Sequence, residues 1–389
     1  MNICCGIDIG NAKTEIAFFE KKEQPILVRQ PSVISHLLSK PEGNDSEESV
    51  IIENLLDNLS VQIFSKSLSR DGMYFVGKKS LDTPQNIRNM NISIGNKSSQ
   101  DIPLITSLSM LAGIGVKKYY YSNKNTIPKS LTLNVKMATA IPSSEYSKNS
   151  AKTLEDRFIG DHTVNLYVGE ETVLVSIRVD QCKVTEEGKT AMLAFLKSSD
   201  DILKIYNEDY NEKATPKDFS NSSAVHADIG DGTSEIIYTQ GVNPVANSSF
   251  GVRVGVGHAT TEAIRLYKEE LGGLIGDITR QHFMALLNQD NEKAKLAKAK
   301  MKEATFIQGQ KIIESIQQGF IDKTASTADY FFVHGGGSIV FQDDMKKQLR
   351  EFADQVRAKI VWIPSEFATS MNSIGTLHLA KAFFCKDEN

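Results

Sequence analysis

Four cysteines in 389 residues are few, and their positions exclude more than their number does. Cys4, Cys5, Cys182 and Cys385 have no metal-ligand spacing and make no disulfide framework. Cys4 and Cys5 are neighbours on an apparent strand and face opposite sides. All four are therefore expected to be reduced thiols serving as small hydrophobes, as in a reducing cytoplasm. No apolar run approaches the roughly 18 residues that span a bilayer. Met1-Asn2-Ile3-Cys4-Cys5 has no charged region ahead of an apolar stretch, so no signal peptide is expected. Charge of one sign is lacking as well: 44 Lys and Arg stand against 48 Asp and Glu, for a net charge of −4. That balance argues against a protein that wraps nucleic acid by neutralising phosphates. No Gly-x-x-x-x-Gly-Lys-Ser/Thr run occurs, which excludes a P-loop.

What is present suits a large folded chain. Apolar residues make up 40% and charged residues 24%, enough to bury a sizeable core. The length fits two or three domains, or one two-lobed enzyme. The first twenty residues read as a β-hairpin, with Ile3–Ile9 and Thr14–Phe19 either side of a turn. A third strand is expected at Ile26–Arg29. Lys40–Glu48 is acidic and turn-rich, and residues 40–60 are expected to form an exposed insertion. Asp101–Ile114 has helical spacing, Leu131–Ile141 reads as a buried strand, and Lys152–Ile159 is mixed. Val164–Val168 and Val173–Val179 read as paired strands about a Gly169-Glu170-Glu171 turn. Lys189–Tyr206 is a helix candidate. Ala224–Ile229 and Glu235–Tyr238 are strands either side of a glycine turn. Residues 259–320 are largely helical, with a break at Gly272-Gly273. Tyr330–Val333 is a strand running into three glycines, and Phe341–Lys359 is a helix candidate. Strands alternating with helices predict an α/β fold.

Three motifs carry chemistry. In Gly6-Ile7-Asp8-Ile9-Gly10-Asn11-Ala12-Lys13-Thr14, a carboxylate at a strand end precedes a tight turn whose backbone N–H groups can converge on an anion. Lys13 adds a charge, and Asn11 or Thr14 a further donor. Ala227-Asp228-Ile229-Gly230-Asp231-Gly232-Thr233-Ser234 repeats the same grammar about 220 residues later. Two such hairpins point to two related lobes and to a polyphosphate ligand. Aspartates beside phosphates repel them, by roughly 4 kcal/mol per pair of unit charges about 4 Å apart at an effective dielectric of 20. A Mg2+ held through waters by Asp8 and Asp228 removes the conflict. In Phe331-Phe332-Val333-His334-Gly335-Gly336-Gly337-Ser338, a buried strand opens into glycines that let a backbone approach a flat ring or a phosphate closely.

In this order the three motifs resemble the actin-like ATPase superfamily, with its first phosphate loop, second phosphate loop and adenosine loop. Gln30-Pro31-Ser32-Val33-Ile34 and Tyr74-Phe75-Val76-Gly77-Lys78-Lys79-Ser80-Leu81 resemble segments of actins, and Thr139-Ala140-Ile141-Pro142-Ser143-Ser144-Glu145-Tyr146 and Pro364-Ser365-Glu366-Phe367-Ala368 with Asn372 and Gly375 resemble segments of bacterial plasmid-segregation actins of the ParM type. Val184-Thr185-Glu186-Glu187-Gly188-Lys189-Thr190-Ala191 is similar to the segment whose glutamate orients the attacking water in that type. Tyr267-Lys268-Glu269-Glu270-Leu271 resembles the actin helix whose Lys-Glu pair touches adenine and ribose.

The resemblance implies a two-domain, ribonuclease H-like actin fold with nucleotide in the interdomain cleft. Domain I would comprise residues 1–204 and 363–389, with a small-subdomain insertion at about 30–100, and domain II residues 205–362. It implies ATP, or GTP in its place, together with Mg2+. Glu187 and Asp228 would be catalytic, and Asp8 and Asp228 would hold the metal through water. Asp8, Gly10, Asn11, Ala12, Lys13, Thr14, Gly230, Asp231, Gly232, Thr233, Lys268, Glu269, Gly335, Gly336, Gly337 and Ser338 would line the nucleotide. It also implies a homopolymeric filament in the bacterial cytoplasm, whose small subdomain contacts the next subunit. The cargo would be plasmid DNA, attached through a DNA-binding adaptor that carries centromere-like DNA, with no direct nucleic-acid contact and no membrane. A non-polymerising chaperone-like scaffold and a small-metabolite kinase are the competing readings within the same fold.

Overall fold

A computed structural model of the chain describes residues 1–20, 24–43, 45–83, 86–90, 96–274 and 276–385. It divides into two compact units. One comprises Met1–Ile141, Glu145–Thr190 and Asn372–Asn389, and the other Pro142–Ser144 and Ala191–Met371.

The first unit is built on a ten-stranded sheet. Its strands in chain order are β1 (Asn2–Ile9), β2 (Lys13–Phe18), β3 (Ile26–Pro31), β4 (Val33–Leu37), β5 (Ser60–Phe64), β6 (Gly72–Val76), β7 (Ile87–Asn89), β8 (Ser130–Ile141), β9 (Gly160–Val168) and β10 (Glu171–Glu186). Their spatial order is β3-β2-β1-β8-β10-β9-β5-β6-β4-β7. β1, β8 and β10 run parallel at the centre, and β1–β2 and β9–β10 are antiparallel hairpins. With them go α1 (Glu48–Glu53), α2 (Ile102–Ser122) and α3 (Lys148–Phe158). α2 starts with Pro103 in its first turn, where a missing N–H costs nothing, and is buried along most of its length. α3 starts on a capping box of Ser147 and Ser150.

The second unit has a six-stranded sheet of β11 (Ser223–Ile229), β12 (Ser234–Gln240), β13 (Asn243–Pro244), β14 (Phe250–Val252), β15 (Tyr330–His334) and β16 (Lys359–Trp362). The path is β13-β12-β11-β15-β16, with β14 on β12. β11, β15 and β16 run parallel. Its helices are α4 (Lys189–Leu196), which begins in the first unit, α5 (Lys204–Tyr210), α6 (Val256–Glu270), α7 (Arg280–Leu287), α8 (Glu292–Thr324), α9 (Gly336–Val340), α10 (Gln342–Gln355) and α11 (Ser365–Ala368). α12 (Met371–Phe384) returns the chain to the first unit. One face of the second sheet packs Val225, Ala227, Phe331 and Val333 against α6, α8 and α10. An aromatic layer involving Phe195, Phe219 and Phe332 lies on the other face.

The α/β expectation holds, and the differences have physical reasons. β10 runs seven residues past the expected end at Val179 because a bulge between Val179 and Gln181 shifts its phase. Val173, Val175, Ile177 and Val179 face the core, and after the bulge Cys182 and Val184 do so too. Strict alternation stops there, although the strand does not. The helix expected over Lys189–Tyr206 is broken at the polar run Ser198-Ser199-Asp200, with Ser199 extended. Arg357 at φ 57 ends α10, and Lys359 already belongs to β16. Lys40–Glu48 is largely exposed as expected, with Asn44 outside the described residues. Further along residues 40–60, however, Ile52, Leu55 and Leu59 enter the core of the first unit.

The reading of all four cysteines as reduced is overturned for two of them. Cys4 and Cys385 form a disulfide across 381 residues, while Cys5 and Cys182 are free and buried. Spacing cannot reveal a pair whose partners meet only once α12 folds back onto the first unit. Burial raises both remaining thiols, Cys5 to about 12, so neither is a ready nucleophile. Thiol titration in denaturant should give two reactive groups per chain before reduction and four after it. Four before reduction would refute the bond. A cross-link closing so long a loop is worth about 6 kcal/mol in the chain-entropy account.

Candidate functional site

In each unit, adjacent parallel strands end at one edge, the edge where open α/β sheets bind ligands. In the first unit these ends are Ile9 of β1, Ile141 of β8 and Glu186 of β10. Asp8, the turn at Gly10–Lys13 and Glu187 therefore share that edge. In the second unit they are Ile229, His334 and Trp362. Asp228, the turn at Gly230–Thr233, the glycines 335–337 and Pro364–Ala368 share that one.

The two hairpins have the same internal register. Asp8 pairs with Glu15 and Ile9 with Thr14, as Asp228 pairs with Glu235 and Ile229 with Ser234. Gly10 N–H donates to Lys13 O at 2.9 Å, and Gly230 N–H donates to Thr233 O at 2.9 Å. A Cβ on Gly10 would lie 2.7 Å from Lys13 O, and one on Gly230 2.9 Å from Thr233 O, so both turns need glycine. The first turn is braced from β3–β4: Ser32 Oγ donates to Gly10 O at 2.6 Å, Ser32 N–H donates to Ala12 O at 3.0 Å, and Thr14 Oγ1 meets Ser32 Oγ at 3.0 Å. The second is braced by α6: Val256 and Gly257 N–H donate to Gly230 O and Asp231 O at 3.2 and 2.8 Å, and His258 Nε2 lies 2.9 Å from Gly232 O.

Each hairpin also buries a glutamate that the motif reading passed over. Glu15 is fully buried, accepts from Ser373 Oγ and pairs with Arg29 and, at 3.2 Å, with Lys13. Burial alone would raise its carboxyl; Lys13, Ser373 and Arg29 outweigh that and hold it below the ordinary glutamate value. Glu235 accepts from Ser144 N–H and Oγ at 3.1 and 2.8 Å. A glutamate seven residues after each Asp-Ile-Gly aspartate was the available signal.

Asp228 is buried, and His334 Nδ1 stands 3.6 Å from its Oδ1. Burial pushes His334 below the ordinary histidine value, against the pull of Asp228, and drives His226 down to about 3. Both rings are therefore neutral at pH 7 and bring no charge to the carboxylate. Both ring nitrogens of His334 are buried without a hydrogen-bond partner. The sequence signal, a polar residue closing an apolar strand just before the glycines, was present and unused. Gly335, at φ +85, lies against this pair; a Cβ there would sit 2.4 Å from Asp228 Oδ1 and 2.5 Å from Ile229 O. A Cβ on Gly336 would meet nothing within 4 Å, so that backbone faces open space. Ser338 is spent on the fold, since its Oγ donates to Gly335 O at 2.8 Å.

The remaining expected residues fall as follows. Asp231 Oδ2 pairs with Arg280 Nη1 at 3.0 Å. Asn11 and Thr233 are half-buried and Ala12 is exposed. Lys268 and Glu269 lie in the last turn of α6, about 18 Å of helix rise from its start at the second turn. There Lys268 Nζ meets Asp277 Oδ1 at 2.7 Å and Glu269 pairs with Arg265. Glu187 follows β10, is buried, and donates its N–H to Ile141 O at 3.0 Å.

The residues fit a magnesium nucleotide. Glycine turns leave backbone N–H groups where side chains cannot intrude, and Asp8 and Asp228 are hard oxygen donors at strand ends. Among the described residues no group of three or more His, Cys, Asp or Glu could cage a metal. Mg2+ bound to phosphates asks for no such cage, since one or two carboxylates and water suffice.

The backbone course over nearly all of the chain matches solved structures. Bacillus thuringiensis ParM with ATP superposes with a TM-score of 0.63 at 17% identity, covering 100% of this chain and 99% of that one. The fold is actin-like. A non-polymerisable quadruple mutant of pCBH ParM gives 0.65 at 17% identity over 98% and 100% of the two chains. An archaeal actin homologue gives 0.64 at 16% identity over 97% and 98%. No family model and no curated sequence matches this chain. At these identities the actin-like likeness rests on the course of the backbone, which places the two Asp-Ile-Gly hairpins and the glycine loop on an actin-like frame.

Proposed function

We propose that this chain is an ATPase, hydrolysing ATP to ADP and phosphate, that assembles head to tail into dynamic filaments. The observation that carries the reading is the pair of Asp-Ile-Gly hairpins in identical register, the second with Gly335 folded onto its aspartate. Backbone N–H groups of residues 11–14 and 231–233 bind phosphate oxygens, Gly10 and Gly230 close the two turns with their own N–H groups and keep side chains away from the nucleotide, and Gly335–Gly337 pack against adenosine. Lys268 and Glu269 reach the base or ribose. Asp8 and Asp228 hold Mg2+ through waters. When bound, the ion offsets phosphate charge and supports phosphoryl transfer. Glu187 orients the water for in-line attack. GTP is an alternative nucleotide, since the two phosphate turns do not read the base.

One protein to which the chain is similar is described as binding ATP and another as a non-polymerisable mutant of its kind, which supports the nucleotide and the assembly in this reading. A head-to-tail contact that does not close makes a filament. A micromolar critical concentration corresponds to about −8.2 kcal/mol per subunit, and weakening by about 1.4 kcal/mol after hydrolysis raises it tenfold. The cargo we infer is plasmid DNA held through a DNA-binding adaptor, in keeping with the net charge of −4. The domains proposed are residues 1–204 with 363–389, and 205–362. The place of action proposed is the bacterial cytoplasm; among the described residues no helix is long and apolar enough to cross a membrane.

Right-angle light scattering tests the reading. Mg-ATP should give a lagged rise above a threshold concentration, then decay as ATP is consumed, with ADP giving no sustained signal. A flat trace beside measurable phosphate release would replace the filament with a monomeric ATPase or kinase.

A further inference from the structure

Lys97 belongs to no motif in the sequence, yet among the described residues it is the one buried lysine, with its side chain 7% exposed. Its Nζ lies 3.6 Å from Oε1 of Glu187, whose side chain is 9% exposed. A buried ammonium needs an ionic partner to offset its lost hydration.

Both ends of this contact are fixed independently of it. Lys97 opens a short 3-10 turn, Lys97–Ser99, after Asn96 at φ 63, a left-handed conformation that asparagine tolerates. The Lys97 N–H donates to Glu145 Oε2 at 2.9 Å. On the other side Arg157 of α3 donates to Ser98 O at 3.0 Å and Gln100 O at 2.6 Å, and pairs with Asp101 at 2.5 Å. Glu187 is tied through its N–H to Ile141 O at 3.0 Å and followed by Gly188 at φ 87. With both backbones held in this way, the Lys97 ammonium bears directly on the Glu187 carboxylate.

We propose that Lys97 is a positioning residue that aims the Glu187 carboxylate at the attacking water of nucleotide hydrolysis. The proposal rests on the reading of Glu187 as the water-orienting group. A buried ion pair kept only for stability is readily replaced by neutral groups of similar size, because desolvation cancels much of its attraction. A pair kept for geometry is not, and the two roles separate by measurement.

Phosphate release from Mg-ATP is measured for the full chain as wild type, Lys97→Met, Lys97→Arg, Glu187→Gln and the double variant Lys97→Met/Glu187→Gln. Binding of a non-hydrolysable ATP analogue reports folding, and the neutral double variant removes both charges of the pair. Glu187→Gln should lose at least about 100-fold in kcat. Lys97→Met should lose at least about tenfold in kcat, with KM for ATP within about twofold, and Lys97→Arg should recover most of that loss. In the Glu187→Gln background Lys97→Met should cost nothing more, since the two act as a unit. Wild-type kcat in Lys97→Met, a loss expressed in KM, or an equal loss in both backgrounds would overturn the proposal while leaving Glu187 in place. Full turnover by Glu187→Gln would overturn the role of Glu187 and this proposal with it. No hydrolysis by the wild-type chain would remove the ATPase reading altogether.

Discussion

Asp228→Ala is expected to lower Mg-dependent ATP hydrolysis by at least about 100-fold, the loss typical of removing one preorganised electrostatic group from a reaction site. The substitution is gentle on the fold. Asp228 stands one residue from the end of β11, and its neighbours Ala227 and Ile229 carry the packing of that strand on the core. The structure spends unusual effort on this carboxylate. Gly335 takes a left-handed conformation so that the glycine loop can lie against it. His334, neutral and without hydrogen-bond partners, sits beside it and offers no compensating charge. Asp228→Asn keeps the shape and removes the charge, so the two variants should fail alike if charge toward a metal is what matters. Phosphate release with and without Mg2+ decides this, alongside nucleotide binding in EDTA, which both variants should retain. Turnover at the wild-type rate in Asp228→Ala would take the residue out of the metal shell.

Gly375→Ala is expected to destabilise the first unit by about 3 kcal/mol or more, opposite in sign to what helix propensity dictates. Within a helix, glycine to alanine normally gains about 1 kcal/mol. Here the added Cβ would lie 1.9 Å from Thr190 O and 2.4 Å from Thr190 C, atoms of backbone that cannot swing aside. Thr190 Oγ1 also donates to Asn372 Oδ1 at 2.8 Å, fastening the same crossing. On the other side of α12, Gly6 of β1 admits the helix in the same way, since a Cβ there would stand 2.1 Å from Leu377 N. Overpacking against backbone sits at the costly end of such substitutions. A thermal melt should show a fall of about 6–12 °C for a unit of this size. Gly276→Ala, whose Cβ would meet nothing within 4 Å, is the control and should stay within about 0.5 kcal/mol of wild type. An unchanged melt for Gly375→Ala would mean that α12 does not cross Thr190 as described.

The parts legible in the sequence are those encoded by neighbours along the chain. The two hairpins could be read because strand, aspartate, glycine turn and hydroxyl are local signals, and their repetition survives without any knowledge of where the strands pair. The strand running into Gly335-Gly336-Gly337 was legible for the same reason, as was the order of the three motifs that predicts an actin-like fold. Strand and helix limits were less so. The bulge after Val179 breaks alternation without ending β10, and Ser198-Ser199-Asp200 interrupts a helical pattern that composition alone allows to continue. The short strands of residues 33–89 escaped because each is held by its partners rather than by its own pattern.

By itself the sequence determined the α/β class, the two Asp-Ile-Gly turns, the glycine loop and the buried strands that present them, since hydrophobic period and turn chemistry act over a few residues. Only the tertiary structure decided which distant groups meet. It joined Cys4 to Cys385, set Ser373 on Glu15, Ser144 on Glu235 and His334 beside Asp228, and carried Lys97 to Glu187. These contacts depend on the pairing of parallel strands and the return of α12. Burial then makes each polar partner obligatory, because a buried charge or donor without one is costly. No spacing along the chain records that requirement.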